Sequence, residues 1–411
     1  MPRIGIIGFG FSGNLLLAHL VRHPEPLEIY VVDPALNARG VAYSTPYAEH
    51  LLNVRAGNMS AFPDAPDDFL RWLGTQQLPY SASDFVPRPI YGQYLDHVFQ
   101  QTQTIAAQHG HRIKLVPSVA VAVDVQLNVT TERGDAIALD RLVLATGNAF
   151  NPKTSPIAAP MVQDPWAPDA LKNAAQSAGP ILLFGSGLTA VDAVLALRHE
   201  GYAGSIAMHS RHNLLPQPHR DGVSPTPYDL AELPTNLAAW RHWMRAQTRG
   251  EWRATIDGLR PHTQRAWHQL STREQVRFFR RLASFWNVHR HRMAPQIAAR
   301  IEMELAAGTL RFGCPDDAAL VINCTGPELR PANSDRPLIK SLLAQGLIEP
   351  HATSIGIAVD PQNRVWGGVY PNLYAIGSLM TGQKLESTAV PELRVQAQAV
   401  AEAVCRSVST K

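Results

Sequence analysis

Hydrophobic and polar positions near the start of the chain follow first a strand pattern and then a helix pattern. Residues 3–7 form a short apolar run typical of a buried strand, 12–23 carry apolar residues at helical spacing, and 28–33 form a second apolar run. A strand, a helix and a further strand in this order indicate a βαβ unit with parallel strands. The pattern therefore predicts an α/β protein.

The pattern is less regular beyond this unit. Residues 62–79 are rich in proline and are predicted to be loop, 91–107 have the spacing of a helix, and 141–145 form another buried strand. The prolines of segment 151–180 predict a connector rather than a helix. A new unit is expected after this connector.

The second unit repeats the layout of the first. Residues 181–184 are predicted to be a strand, 189–199 a helix and 205–210 a strand. This internal duplication predicts two dinucleotide-binding, Rossmann-like domains in one α/β chain. The pattern of hydrophobic positions changes after this second unit.

A long helical stretch follows the duplication. Residues 215–310 show helical spacing and many Trp, Arg and His residues, which predicts a helical insertion. Strands are predicted again at 318–323 and 372–376, and 391–406 are predicted to be a helix.

Composition and charge exclude several classes of function. Of the 411 residues, 45% are hydrophobic and 17% charged, as in ordinary globular enzymes, and the net charge is only +3. Such a mild balance argues against nucleic-acid or membrane binding. Cys314, Cys324 and Cys405 form neither a CxxC pair nor a metal-ligand spacing, so we expect no metal site. With no signal peptide or spanning segment predicted, we expect a soluble cytoplasmic protein.

The first candidate site is a glycine-rich turn between a predicted strand and a predicted helix. Gly8 permits a tight turn, Gly10 allows close approach of a pyrophosphate, and Gly13 allows close helix packing, while the helix start at Ser12 presents N–H groups to phosphate. Asp33 ends the next strand, about 20 residues further on, where a carboxylate accepts hydrogen bonds from a ribose. Strand, helix and acid together favour a nucleotide site over a ligand-free turn.

The second candidate site repeats this turn with two changes. Its residues are Gly185, Gly187, Thr189 and, in place of the third glycine, Ala190. The corresponding strand end carries Ser210 and Arg211 instead of an acid. An arginine there pairs with the 2′-phosphate of NADPH, which a carboxylate would repel, whereas the alternative is that Arg211 is simply a solvated strand-end residue.

Two nucleotide sites in one chain predict two cofactors. The first site, which has Asp33 at the end of its second strand, suits FAD. The second site suits a nicotinamide nucleotide that reduces the FAD. We therefore expect an FAD-binding domain made of residues 1–175 and 311–411, and an NAD(P)-binding domain with the helical insertion over 176–310.

Several stretches resemble a known family of FAD/NAD(P)-binding flavin monooxygenases, which includes a bacterial FAD-dependent urate hydroxylase and an aspartate N-monooxygenase. The stretches that carry the resemblance are Leu52–Val54, Asn58–Pro63, Val86–Tyr94, Leu144–Gly147, His289–Arg292 and Glu386–Arg394. The resemblance spans nearly the whole chain.

The family implies a single-component monooxygenase, in which NAD(P)H reduces FAD and the reduced flavin uses O₂ to hydroxylate a small polar substrate. Urate, hydroxylated to 5-hydroxyisourate in purine catabolism, is the first expectation. N-hydroxylation of an amino acid is the alternative, and a flavin-bearing redox or binding protein without substrate turnover is a hypothesis of a different class. No protein nucleophile is needed, so no catalytic residue is assigned, and the oligomeric state is left open.

The resemblance also implies cofactor contacts beyond the first turn. Thr146 and Gly147 end a predicted strand, and Gly377 follows the last one, where flavoproteins of this architecture approach the cofactor. The alternative for Thr146 and Gly147 is a simple strand-end turn.

A cluster of basic residues lies in the predicted helical insertion. A solvated or salt-bridged face is the simpler interpretation of most members. His289, Arg290 and Arg292 are the preferred exceptions, because they carry the family resemblance. They are expected to bind an anionic substrate such as urate, and the alternative ligand of the cluster is the pyrophosphate of the nicotinamide nucleotide.

Overall fold

The computed structural model describes residues 1–365 and 372–406. Its strands, in chain order, are β1 (Arg3–Ile7), β2 (Glu28–Val32), β3 (Arg112–Val116), β4 (Ala120–Val123), β5 (Asn128–Thr131), β6 (Ala136–Ala138), β7 (Arg141–Leu144), β8 (Met161–Val162), β9 (Ile181–Phe184), β10 (Ile206–His209), β11 (Leu310–Phe312), β12 (Leu320–Asn323) and β13 (Leu373–Ala375). Its helices are α1 (Phe11–Leu20), α2 (Asp68–Thr75), α3 (Arg88–Gln108), α4 (Ala170–Ala174), α5 (Leu188–His199), α6 (Leu237–Gln247), α7 (Trp252–Leu259), α8 (Thr263–Gln269), α9 (Thr272–Arg281), α10 (Ala283–Arg290), α11 (Pro295–Ala306), α12 (Pro337–Ala344) and α13 (Val390–Arg406).

The chain divides into two compact units. The first unit contains residues 1–44, 55–149 and the chain from Glu328 onward, and the second contains 45–54 and 150–327. Both units are α/β and Rossmann-like, as the sequence predicts.

A five-stranded parallel sheet forms the centre of the first unit in the described residues, in the order β13-β7-β1-β2-β3. Every residue of β7 is buried, as expected for a parallel strand covered on both faces. Helix α1 packs against α13 and α3 and is buried except at Ser12, which explains why most of its residues are apolar. The ends of β1, β7 and β13 therefore meet at one edge of this sheet, as parallel strands require.

A second parallel sheet forms the centre of the other unit, in the order β11-β10-β9-β12-β8. Strand β9 holds the central position that β1 holds in the first sheet, and β10 takes the place of β2. The predicted duplication is thus confirmed strand by strand around the two turns. Helices α6 to α11 occupy the stretch predicted to be a helical insertion.

Several elements differ from the sequence predictions. Helix α2 lies inside the segment predicted to be loop, and β8 and α4 lie inside the predicted connector. Strands β4, β5 and β6 form an antiparallel sheet that was not predicted. The segments 150–175 and 311–327, expected in the first domain, lie in the second unit, because β8 and β12 pair in its sheet.

The described residues contain neither a membrane-spanning helix nor a cluster of metal ligands. No helix in them is long and apolar enough to cross a membrane. They also hold no group of three or more His, Cys, Asp or Glu side chains placed to bind a metal ion.

Candidate functional site

The first glycine turn joins β1 to α1 and requires glycine at its first position. Gly8 has a φ of +101°, and a Cβ added there would lie 2.3 Å from the carbonyl oxygen of Ala145. The Gly8 N–H donates to the Val32 carbonyl at 2.9 Å. The turn is therefore held between the ends of β2 and β7.

Helix α1 begins directly against this turn. A Cβ on Gly13 would lie 2.0 Å from the Gly8 carbonyl oxygen, and a Cβ on Gly10 would lie 3.1 Å from the Cα of Gly40. Gly10 is the N-cap, and within the described residues no side chain caps α1 and no acid lies in its first turn. The first N–H groups and the positive end of the helix dipole can thus bind an anion such as a pyrophosphate.

Asp33 lies at the predicted place after β2, and its carboxylate also closes the turn. One oxygen accepts the N–H of Phe9 at 2.9 Å, and the other accepts those of Ala35 at 2.8 Å and Leu36 at 3.0 Å. Asp33 therefore fixes the path of two loops at this edge of the sheet. Its contact with a ribose remains a prediction.

Thr146, Gly147 and Gly377 come to the same edge of the sheet as the first turn. A Cβ on Gly8 would lie 3.2 Å from the Cα of Thr146, and one on Gly377, whose φ is +83°, would lie 3.5 Å from the Ser12 hydroxyl oxygen. The hydroxyl oxygen of Thr146 is buried and has no hydrogen-bond partner in the described part of the chain.

These features fit a bound dinucleotide such as FAD. A Cβ would collide with backbone at Gly8 and Gly13, the N-terminus of α1 is uncapped within the described residues, and the buried Thr146 hydroxyl lacks a partner there. A buried polar group without a hydrogen bond is costly, so a ligand that supplies one at Thr146 would be stabilised.

The second glycine turn repeats the geometry of the first. Gly185 has a φ of +133°, and a Cβ there would lie 2.2 Å from the carbonyl oxygen of Cys324. Gly187 caps α5 with φ −82° and ψ −168°, close to the φ −81° and ψ −163° of Gly10. Thr189 lies in the first turn of α5 and Ala190 is buried behind it. The second turn therefore presents an anion-binding helix N-terminus of the same kind.

Ser210 directly follows β10, at the strand end that is expected to select the nicotinamide nucleotide, and it makes hydrogen bonds to two neighbouring side chains. Its hydroxyl lies 2.7 Å from that of Ser186, and its N–H donates to the Asn213 side chain at 3.0 Å. Arg211 is exposed, its Nη1 donates to the Arg280 carbonyl at 3.4 Å, and no carboxylate in the described ranges forms an ion pair with it. Arg211 thus remains a cation that a 2′-phosphate could reach.

His289, Arg290 and Arg292 lie in the helical region of the second unit. Arg292 is only 4% exposed, forms an ion pair with Asp257, and has its pKa lowered by burial. The His289 Nδ1–H donates to the Phe285 carbonyl at 2.7 Å, and its ring meets Trp252 edge-on at a centroid distance of 4.7 Å. A substrate anion at Arg292 would therefore compete with Asp257, a partner that the sequence did not indicate.

A pocket beside Gly147 was not predicted. Its walls come from segments 147–149, 328–339 and 378–379, together with Gly356, all within the first unit. Arg336 belongs to this wall and contacts the loop after β7. No local sequence signal marks this arginine, because its contacts lie far away along the chain.

Residues 5–149 match the model of a family described as FAD-NAD(P)-binding. No curated protein matches the chain in sequence. The matched region contains the first glycine turn, Asp33, Thr146 and Gly147.

Solved structures of flavin monooxygenases share the fold. A flavin monooxygenase variant from Stenotrophomonas maltophilia has a TM-score of 0.57 at 16% identity, over 99% of this chain and 100% of that one. An ornithine hydroxylase from Pseudomonas aeruginosa has a TM-score of 0.58 at 13% identity, over 99% of each chain. An L-lysine 6-monooxygenase from Pseudomonas syringae has a TM-score of 0.62 at 14% identity, over 99% of this chain and 100% of that one. At these identities the similarity establishes the fold.

Proposed function

We propose that the protein is an FAD-dependent monooxygenase that uses NAD(P)H and O₂ to hydroxylate a small polar molecule. The observation that carries the proposal is the pair of glycine turns with matching backbone geometry, each placed before an uncapped helix N-terminus within the described residues. One turn suits one dinucleotide, so two turns suit an enzyme in which a nicotinamide nucleotide reduces a flavin. The FAD-NAD(P)-binding match and the flavin monooxygenase folds support it.

The residues of the first unit are proposed to hold FAD. The N–H groups that follow Gly10 would bind the pyrophosphate, Asp33 a ribose, and the Thr146 hydroxyl would gain the hydrogen bond that it lacks. Gly147 and Gly377 would allow close approach of the cofactor. FAD supplies the redox and oxygen chemistry, and the chain's own task is to bind it, orient it and exclude water.

The residues of the second unit are proposed to bind the nicotinamide nucleotide. The N–H groups after Gly187 would hold its pyrophosphate, and Arg211 would pair with a 2′-phosphate where the first site has an acid. This arrangement favours NADPH over NADH. His289, Arg290 and Arg292 remain proposed substrate contacts.

Two substrate classes remain under this proposal. The sequence resemblance supports urate as the first substrate to test, and the folds shared with an ornithine hydroxylase and an L-lysine 6-monooxygenase support an amino acid hydroxylated on nitrogen. Both are small polar molecules, so the same enzyme class accounts for either.

The test is substrate-stimulated NAD(P)H oxidation by the purified, FAD-loaded protein. Urate, ornithine, lysine and aspartate are added separately, and products are analysed by mass spectrometry after reaction with isotopically labelled O₂. We expect one compound to raise oxidation several-fold above background and to acquire one labelled oxygen atom. A flavin-loaded protein that no compound stimulates would instead support a redox or binding role. A protein that binds no FAD would contradict the proposal as a whole.

A further inference from the structure

Arg336 connects the start of helix α12 to the loop that follows β7. Its Nη1 donates to the Thr146 carbonyl at 2.8 Å and lies 3.5 Å from the Gly147 carbonyl oxygen, while Nη2 donates to the carbonyl of Asn148. One planar guanidinium therefore gathers three successive backbone carbonyls. Arginine can do this because it carries five N–H donors in a fixed plane.

The position of this guanidinium is fixed by the fold. Arg336 is the N-cap of α12 and precedes Pro337, which keeps its backbone extended, with φ −66° and ψ 122°. Helix α12 in turn buries Leu338, Ile339 and Leu342 in the core of the first unit. The side chain thus reaches the loop after β7 from a rigid base.

Among the residues that the structure describes, no acid neutralises the positive charge of Arg336. The side chain is half-buried, and in residues 1–365 and 372–406 no carboxylate forms an ion pair with it. Burial lowers the pKa of its guanidinium, because desolvation disfavours the charged form. A half-buried cation that is held only by carbonyl dipoles carries a desolvation cost that no opposite charge offsets.

The loop that Arg336 holds is the one that approaches the first glycine turn. Thr146 lies against Gly8, and its buried hydroxyl has no partner in the described residues. Gly147 has a φ of +65°, so the chain changes direction sharply here. Three carbonyls pulled toward one guanidinium define the path of the loop and hence the direction of the Thr146 hydroxyl.

We propose that Arg336 is a positioning residue for FAD binding, which holds residues 146–148 in the conformation that the cofactor requires. This inference rests on the proposed function, because it takes the first unit as the FAD site. It assigns Arg336 no contact with substrate and no step of the reaction.

The test compares FAD binding to the apo-forms of three variants with binding to the wild type. Arg336→Met removes all donors and the charge, and Arg336→Lys keeps the charge with fewer and differently placed donors. Arg330→Met is the matched control, because Arg330 lines the same pocket but is exposed and makes no side-chain hydrogen bond in the described residues. FAD affinity is read from flavin fluorescence, the flavin environment from its visible circular dichroism, and folding from thermal unfolding of the apo-protein.

We expect Arg336→Met to weaken FAD binding by about tenfold or more, since it removes several hydrogen bonds from a charged donor. Arg336→Lys should recover part of the affinity, the visible circular dichroism of the bound flavin should change in both variants, and Arg330→Met should bind like the wild type.

Wild-type affinity and an unchanged flavin spectrum in Arg336→Met would overturn the inference, even if the apo-protein unfolds at a lower temperature, because Arg336 would then be only a structural brace. If Arg336→Met does not fold, Arg336→Lys decides: weaker FAD binding at normal stability supports the inference, and unchanged binding overturns it. Failure of the wild type to bind FAD would instead contradict the proposed function, so the two failures are distinguishable.

Discussion

Gly13→Ala tests whether the packing of α1 on the first turn serves cofactor binding. The added Cβ would lie 2.0 Å from the Gly8 carbonyl oxygen, and real Cβ atoms essentially never lie within 3.0 Å of such an atom, so helix and turn have to separate by about 1 Å. Overpacking of this kind costs about 1–3 kcal/mol, against a gain of up to about 1 kcal/mol from replacing glycine in a helix. We therefore expect a net loss of stability of about 1–2 kcal/mol.

The same displacement should weaken FAD binding. Hydrogen bonds from the first N–H groups of α1 to phosphate depend steeply on distance, so a shift of this size should lower the affinity by about tenfold. The assay combines denaturant unfolding of the apo-protein with a fluorescence titration of FAD.

Gly74→Ala is the matched control for this substitution. It makes the same change inside α2, where a Cβ meets nothing within 4 Å, and it should raise stability by up to about 1 kcal/mol without altering FAD binding. A Gly13→Ala protein that unfolds and binds FAD like the wild type would refute the reasoning, because the close contact would then be neither tight nor functional.

Two further predictions concern charge. Arg211→Ala should raise the KM for NADPH several-fold while leaving that for NADH unchanged, since only NADPH carries the 2′-phosphate; equal changes would show that Arg211 does not bind it. Burial lowers the pKa of His19 from 6.5 to about 4, so as pH falls His19 binds a proton in the unfolded protein before it does so in the folded protein. Stability should therefore decrease by about 3 kcal/mol between pH 6.5 and 4, and His19→Leu should remove this part of the decrease in pH-dependent unfolding.

The parts of the fold that the sequence predicted well are those with local signals. Apart from Arg3 and Arg141 at their starts, strands β1, β7 and β9 are continuous apolar runs, because both faces of a parallel sheet are covered. The two turns require glycine at Gly8 and Gly185 for reasons contained within a few neighbouring residues and one crossing strand. Such elements can be predicted before any tertiary contact is known.

The elements that were missed depend on distant contacts. The segment 45–54 belongs to the second unit although its neighbours in sequence belong to the first. His50 links it to that unit by a hydrogen bond to the Asp192 carbonyl, at 2.9 Å, while the Thr45 hydroxyl, at 2.8 Å within the segment, orients the His50 ring. The spacing of hydrophobic residues within the segment does not indicate that it contacts α5. The contacts of Arg336 with the carbonyls of residues 146–148 were not predicted for the same reason.

The candidate site likewise contains parts that local sequence signals predict and parts that depend on distant contacts. The pattern of glycines located the two turns that we propose to bind FAD and the nicotinamide nucleotide, because the geometry of each turn depends on a short stretch of sequence. The basic cluster gave no comparable information, because an arginine in sequence does not reveal its counter-ion. Arg292 is paired with Asp257, which belongs to another helix, α7, whereas Arg211 has no ion-pair partner in the described residues. Only the structure separates these two cases.

The third position of the two turns shows that a shared pattern does not imply equal packing. A Cβ cannot fit at Gly13, yet the second turn carries the buried methyl group of Ala190 at the same register. Helix α5 must therefore stand further from its turn than α1 does. We expect Ala190→Gly to lower stability by about 1–2 kcal/mol, through loss of a buried methyl and added chain entropy, while FAD affinity stays unchanged. Denaturant unfolding and FAD titration check this, and a loss of FAD binding in Ala190→Gly would contradict the assignment of one cofactor to each turn.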